Sequence, residues 1–185
     1  GSLSIGTVYQ TNSDYFVWIS IFVVLSFAAV VFLGRLMGVS KKLSFLLASG
    51  TAICGGTAIA SVAPSIKAKP EELTTAITII FLLNAIAVFA FPLSNEYIKL
   101  NDVQFGAWAA LAIHDTASVV GAASSVGEVS VEVAATLKVA RTIWIVPLVI
   151  FSAWVYRNKN DGLGLPIFVV FFILAAILNT IFQPN

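Results

Sequence analysis

The chain has 185 residues, 59% hydrophobic and 10% charged, with a formal net charge of +1 and a mean hydropathy of +0.98. That composition lies outside the range of soluble domains and reads as a membrane protein. The near-neutral charge gives no footprint for nucleic acid, and the single cysteine, Cys54, excludes an internal disulfide framework.

The opening GSLSIGTVYQTNSD has no basic region ahead of an apolar core, so it does not read as a signal peptide; Gly1-Ser2 reads as an added pair in front of a piece of a longer protein. Residues 15–38 are an almost unbroken apolar run of 24 residues. As a helix it reaches about 36 Å, enough for a hydrocarbon core of about 30 Å. Tyr15, Phe16 and Trp18 suit one interface, while Arg35, Lys41 and Lys42 mark the other end as cytoplasmic.

Residues 43–63 are apolar but rich in small side chains, and Cys54-Gly55-Gly56 interrupts them near the centre. SIKAKP closes this segment. Pro70 followed by Glu71 and Glu72 predicts a helix start, with proline in the first turn and acids on the positive dipole end. A second span follows over 73–91, interrupted only by Asn84; Pro92 is expected to end it, with 94–104 as an aqueous loop. Residues 105–126 repeat the small-residue theme around His114-Asp115-Thr116. A long helix is expected over 131–156, holding Lys138 and Arg141, with Pro147 as a kink. RNKNDGLGL makes a turn before a last apolar segment, 166–182, with Asn179 near its end.

The two interrupted segments either cross the membrane or re-enter it as hairpins with tips at 54–56 and 114–116. If all six segments cross, Arg35, Lys41, Lys42, Lys99, Arg157 and Lys159 lie inside and Lys67 and Lys69 outside; with hairpins, only Lys99 lies outside. Both arrangements satisfy the positive-inside rule. Thr57-Ala58 matches Thr116-Ala117 at an offset of 59 residues, and hairpins would make 43–92 and 105–157 two units of opposite orientation, as in many secondary transporters. Either way, non-helical backbone at membrane depth persists only where protein or a water-filled cavity satisfies it.

The chemistry gathers at these breaks. In ICGGTAIAS, Gly55 and Gly56 free backbone carbonyls and amides beside Cys54, Thr57 and Ser61, which suits an anion at a half-helix start; the plain alternative is close helix packing. An ionisable group at membrane depth costs about 2.5–3.5 kcal/mol on insertion scales, so His114 and Asp115 should face a cavity or a partner. Histidine also exchanges a proton in the working pH range. Lys138 and Arg141, three residues apart, share a helix face and need compensation from Asp115, Glu128, Glu132 or a bound anion, unless they snorkel to an interface. HExxH, CxxC, Walker A and GxSxG motifs do not occur, and there is no second histidine for a metal.

ICGGTAIA followed by APSIKAKPEEL, then FGAWAALAIHDTASVVGAA, then ATLKVARTIWIVP, resembles the YeiH family of bacterial inner-membrane proteins, often labelled sulfate exporters, over residues 40–182. The family pattern has Cys-Gly with small residues, His-Glu-x-x-Gln-Val-Val, and Lys-x-x-Arg ahead of a proline. Cys54-Gly55 and Lys138 to Arg141 before Pro147 match it, whereas Asp115 stands where glutamate is usual and Ser118 where glutamine is. The resemblance implies that the chain is the central half of a longer protein with further helices on both sides.

Together these features predict an all-α polytopic membrane protein with about six hydrophobic segments, two of them broken or re-entrant near the midplane, forming a single transmembrane domain over residues 1–185. The expected function is the core of a secondary transporter for a small anion, sulfate or sulfonate-like, in a bacterial inner membrane. Cys54, Gly55, Gly56, Thr57, His114, Asp115, Ser118, Lys138 and Arg141 would bind the anion, and His114 and Asp115 would carry a coupling proton. No enzyme activity, metal or cofactor is expected. Partners would be the anion and the lipid bilayer, with a homo-oligomer left open. The alternatives are a non-transporting scaffold or subunit, and a passive channel.

Overall fold

A computed structural model describes residues 5–156, with side chains from residue 16. The apolar segment expected at 166–182, with Asn179, lies outside the described residues, as do Arg157 and Lys159. Among the described residues the chain is all-α, in eight helical elements: α1 (Ile5–Leu36), α2 (Lys41–Ala52), α3 (Gly56–Val62), α4 (Pro70–Ile98), α5 (Asp102–Ala112), α6 (Thr116–Ser124), α7 (Glu128–Thr142) and α8 (Ile145–Val155). Three stretches are long and apolar enough to cross a membrane: Phe16–Leu36, Pro70–Ile98 and Glu128–Val155.

Both small-residue segments fold back as hairpins. The ends of the first meet at its base: Lys42 Nζ donates to the Lys67 carbonyl, and Ser40 Oγ donates to Glu72 Oε1 at 2.7 Å. Its arms touch at Gly50, where a Cβ would stand 2.8 Å from Ile59 Cδ1. In the second hairpin, a Cβ on Gly127 would stand 2.6 Å from Asp102 Oδ2, so the entry to α5 and the exit from α6 are also neighbours. Small residues are what this packing requires.

α4 is the ruler against which both hairpins are placed. Glu72, in its first turn, holds the base of the first hairpin. Ile80 packs where Gly50 and Gly55 lie, Phe81 lies against Gly56, and Val88 lies by Gly121 of the second hairpin. Asn84, at the middle of the helix, meets the tip of the second. The hairpins therefore enter from opposite ends of α4, and their tips meet at its centre. The 12 residues from Glu72 to Asn84 rise about 18 Å, roughly half the thickness of the hydrocarbon core.

One expectation about proline needs correction. Pro92 does not end its span: α4 continues to Ile98, with Pro92 inside it. The polar stretch 94–104 is therefore mostly helix, and only residues 99–101 separate α4 from α5. A proline in a helix removes one backbone bond and strains one turn, and a well-packed helix can carry that cost. Pro147, by contrast, sits where the expected long helix is divided into α7 and α8. Its ring cannot donate to the Ile143 carbonyl, and the chain turns there through short bonds, Trp144 N to Arg141 O at 3.0 Å and Val146 N to Ile143 O at 3.4 Å. The start at Pro70 is as expected, with Glu71 and Glu72 in the first turn and Lys69 N donating to Glu72 Oε2 at 3.1 Å.

Candidate functional site

The tip of the first hairpin is built by Ile53, Cys54 and Gly55. Ile53 leaves the helix at φ −117°, ψ −92°, and the Gly55 amide reaches back to the Gly50 carbonyl at 2.9 Å. Gly55 sits at φ 69°, ψ −126°, a combination that side chains with a Cβ avoid. A Cβ there would also stand 3.3 Å from Ile80 and 3.5 Å from backbone atoms of His114 and Asp115. The two tips thus abut, backbone against backbone. Cys54 is buried beside them, Gly56 is half-buried, and Thr57 is exposed, with its carbonyl accepting from Ser61 Oγ.

The second tip consists of extended residues. Ile113 (φ −84°, ψ 136°) ends α5 and Asp115 (φ −86°, ψ 141°) precedes α6, so His114 and Asp115 are freed from the 100° separation a helix would impose. Asp115 is the N-cap of α6: its Oδ2 accepts from Ser118 N at 3.0 Å and Ser118 Oγ at 3.2 Å.

Asn84, which hydropathy marks only as an interruption of a span, closes the second tip from α4. It is 1% exposed, and its Oδ1 accepts from His114 N at 3.0 Å and Asp115 N at 3.3 Å. From the other side, Lys138 Nζ donates to the Ile113 carbonyl at 2.9 Å. The peptide group joining Ile113 to His114 is therefore held at both ends, its oxygen by a lysine and its N–H by an asparagine.

Arg141 joins the two hairpins. It is fully buried. Nε donates to the Ala52 carbonyl at 3.2 Å, and Nη2 to Thr51 and Ala52 at 2.9 and 2.8 Å. Nη1 donates to the carbonyls of Ala110 and, at 2.9 Å, Leu111. Those five bonds match the five N–H donors of a guanidinium. The four carbonyls belong to the last turns of α2 and α5, which lack partners within their own helices, and both ends carry the negative pole of the helix dipole. Phe22 of α1 covers the guanidinium, with Cζ 5.2 Å from its ring centre, within the range of a cation–π contact.

The structure thus gathers Cys54, Gly55, His114, Asp115, Ser118, Lys138 and Arg141 around one junction and leaves Thr57 at the surface. The partners found for Lys138 and Arg141 are backbone carbonyls. Glu128 and Glu132, considered as countercharges, are exposed. With its donors occupied, Arg141 has none left for an anion, whereas Lys138 uses one of its three among the described residues. A cavity of about 350 Å³ lies elsewhere, between α1, the first tip and α8; Val23, Phe27, Ile53 and Phe151 are among its lining residues, and among the described residues no ionisable side chain lines it. Among the described residues, no group of three His, Cys, Asp or Glu side chains is placed to hold a metal.

The model of the family described as conserved hypothetical protein 698 matches residues 1–185. The chain belongs to that family. Its members include UPF0324 membrane proteins of Bacteroides thetaiotaomicron, 45% identical over 150 residues (80% of this chain and 46% of that protein), and of Porphyromonas gingivalis, 48% identical over 151 residues (80% and 46%). A relative in Geobacter sulfurreducens is 39% identical over 180 residues, covering 97% of this chain and 57% of that protein. The family is the YeiH-like one that the three motifs resemble, and the chain spans about half the length of the curated relatives it matches. No solved structure matches it.

Proposed function

We propose that the chain is the core of a multi-pass secondary transporter for a small anion, sulfate or sulfonate-like, in a bacterial inner membrane, and that it is not an enzyme. The observation that carries this reading is the meeting of two hairpin tips halfway along α4, with unwound backbone, Lys138, Arg141 and Asp115 at the junction. Broken helices meeting at the midplane are where such transporters hold substrate. Two cations against one carboxylate favour an anion. In this reading Arg141 ties the tips together, Lys138 provides the attracting charge, and His114 or Asp115 exchanges the coupling proton. The two hairpin-plus-helix units, 43–92 and 105–157, are the halves that exchange access; residue 157 lies outside the described residues.

The test is flux of labelled sulfate and methanesulfonate through the full-length protein in liposomes, from about pH 5 to 8, the range around the ordinary histidine value. Wild-type protein is expected to show pH-dependent flux, and His114→Ala to lose that dependence while remaining folded. An unchanged pH profile removes the proton role, and no flux of either anion removes the transporter. One observation favours a second reading, a static membrane scaffold: every donor of Arg141 holds a carbonyl, as a permanent pin would. A scaffold would gain no thermal stability from any small anion, whereas a carrier would.

A further inference from the structure

Asn84 is occupied on one side only. Its orientation is fixed, because the atom that accepts from two backbone N–H groups must be the oxygen, Oδ1. Nδ2 is therefore the other atom of the same carboxamide, held at the second tip. It is buried and has no hydrogen-bond partner among the described residues, and the same is true of His114 Nδ1. The two residues are hydrogen-bonded through the His114 amide, so both orphaned side chains belong to residues at the place where α4 meets the tip. A buried donor without a partner costs about 1–3 kcal/mol, and native proteins leave few of them.

The missing partner has a defined chemistry. An amide Nδ2 only donates, so whatever meets it must offer lone pairs. The N-terminus of α6, nine residues long, begins two residues past His114 and favours negative charge. Lys138 holds the far end of the same peptide group. The Asp115 carboxylate at that N-terminus is already engaged by Ser118 N and Oγ, which leaves the Asn84 donor and the Lys138 charge to meet a ligand.

We propose that Asn84 Nδ2 is the point at which the junction binds an oxyanion, a sulfonate, sulfate or carboxylate oxygen seated between α4 and the second hairpin tip. This rests on the anion reading above and assigns its contact residue: α4 contributes binding as well as support. Bound there, the anion links the central helix to the hairpin facing it.

Two substitutions separate binding from structure. Asn84→Asp keeps an oxygen to accept from His114 N and Asp115 N while replacing the donor with a negative charge. Lys138→Gln keeps a donor for the Ile113 carbonyl and removes the positive charge. The full-length protein in detergent is titrated with sulfate, methanesulfonate and acetate against chloride at matched ionic strength, and the melting temperature is followed. Wild-type protein is expected to be stabilised by at least one oxyanion, with the affinity at least about tenfold weaker in each variant, as loss of a charge-assisted bond implies. Wild-type stabilisation that Asn84→Asp reproduces at the same concentrations overturns this site and leaves the transporter reading standing. A wild-type protein indifferent to all three oxyanions overturns both. If Asn84→Asp does not yield monodisperse protein, Lys138→Gln decides: an unchanged affinity overturns the site, and a tenfold loss supports it.

Discussion

Replacing Arg141 with lysine removes a planar group that reaches two hairpin tips at once and substitutes a single ammonium. Four carbonyls, of Thr51, Ala52, Ala110 and Leu111, share the five guanidinium donors. A lysine has three N–H groups on one centre, so it satisfies the carbonyls of one tip and abandons those of the other. Two orphaned buried acceptors cost about 1–3 kcal/mol each, or about 2–6 kcal/mol together, a large part of the roughly 5–15 kcal/mol that holds a typical domain folded. Arg141→Met abandons all four and is expected to abolish the folded protein. The assay is thermal unfolding of the full-length protein in detergent, followed by gel filtration and by alkylation of Cys54 as the only cysteine retained. Cys54 is 4% exposed at the first tip, so Arg141→Lys should both lower the melting temperature and speed labelling there. Arg141→Lys protein within about 0.5 kcal/mol of wild type, the range of an ordinary surface change, with unchanged Cys54 labelling, would refute the bridging role.

Further predictions concern the tips and their packing. Gly55→Ala places a Cβ in a positive-φ conformation against Ile80 and should destabilise by about 1–3 kcal/mol, measured by the same melt. Gly106→Ala puts a Cβ 2.5 Å from the Ser130 carbonyl oxygen; α5 must then move off α7, costing about 1–3 kcal/mol and raising hydrogen exchange in both helices. Asp115→Ala removes the N-cap of α6 and should cost about 0.5–2 kcal/mol. Asp115→Asn, which keeps the cap, should retain the wild-type melt, so any loss of pH-dependent flux in that variant reports on the proton rather than the fold.

The spans were legible because hydropathy and length alone decide them. The choice between crossing and re-entry was not, since among the basic residues only Lys67, Lys69 and Lys99 change sides and either count satisfies the positive-inside rule. Contacts at the hairpin bases decide it, and these join residues 25 and 32 positions apart. Pro92 misled because its effect depends on whether neighbours hold the helix together, which composition does not record. His114, Asp115, Lys138 and Arg141 stood out through the cost of charge at membrane depth. Their partners did not: Arg141 binds carbonyls that any residue type would supply, in segments about 30 and 90 positions away. Asn84 carried a weak signal, a lone polar residue at the centre of an apolar span, but its role depends on backbone amides 30 and 31 positions distant.

The most direct test of the two opposed hairpins is side-specific labelling of single cysteines in the full-length protein in sealed vesicles, at Lys42 and Lys67 for the first base and at Lys99 and Ser125 for the second. The structure predicts that 42 and 67 react from one side of the membrane and 99 and 125 from the other. If 42 and 67 react from opposite sides, the first segment crosses the membrane, and a junction of two tips cannot form as described.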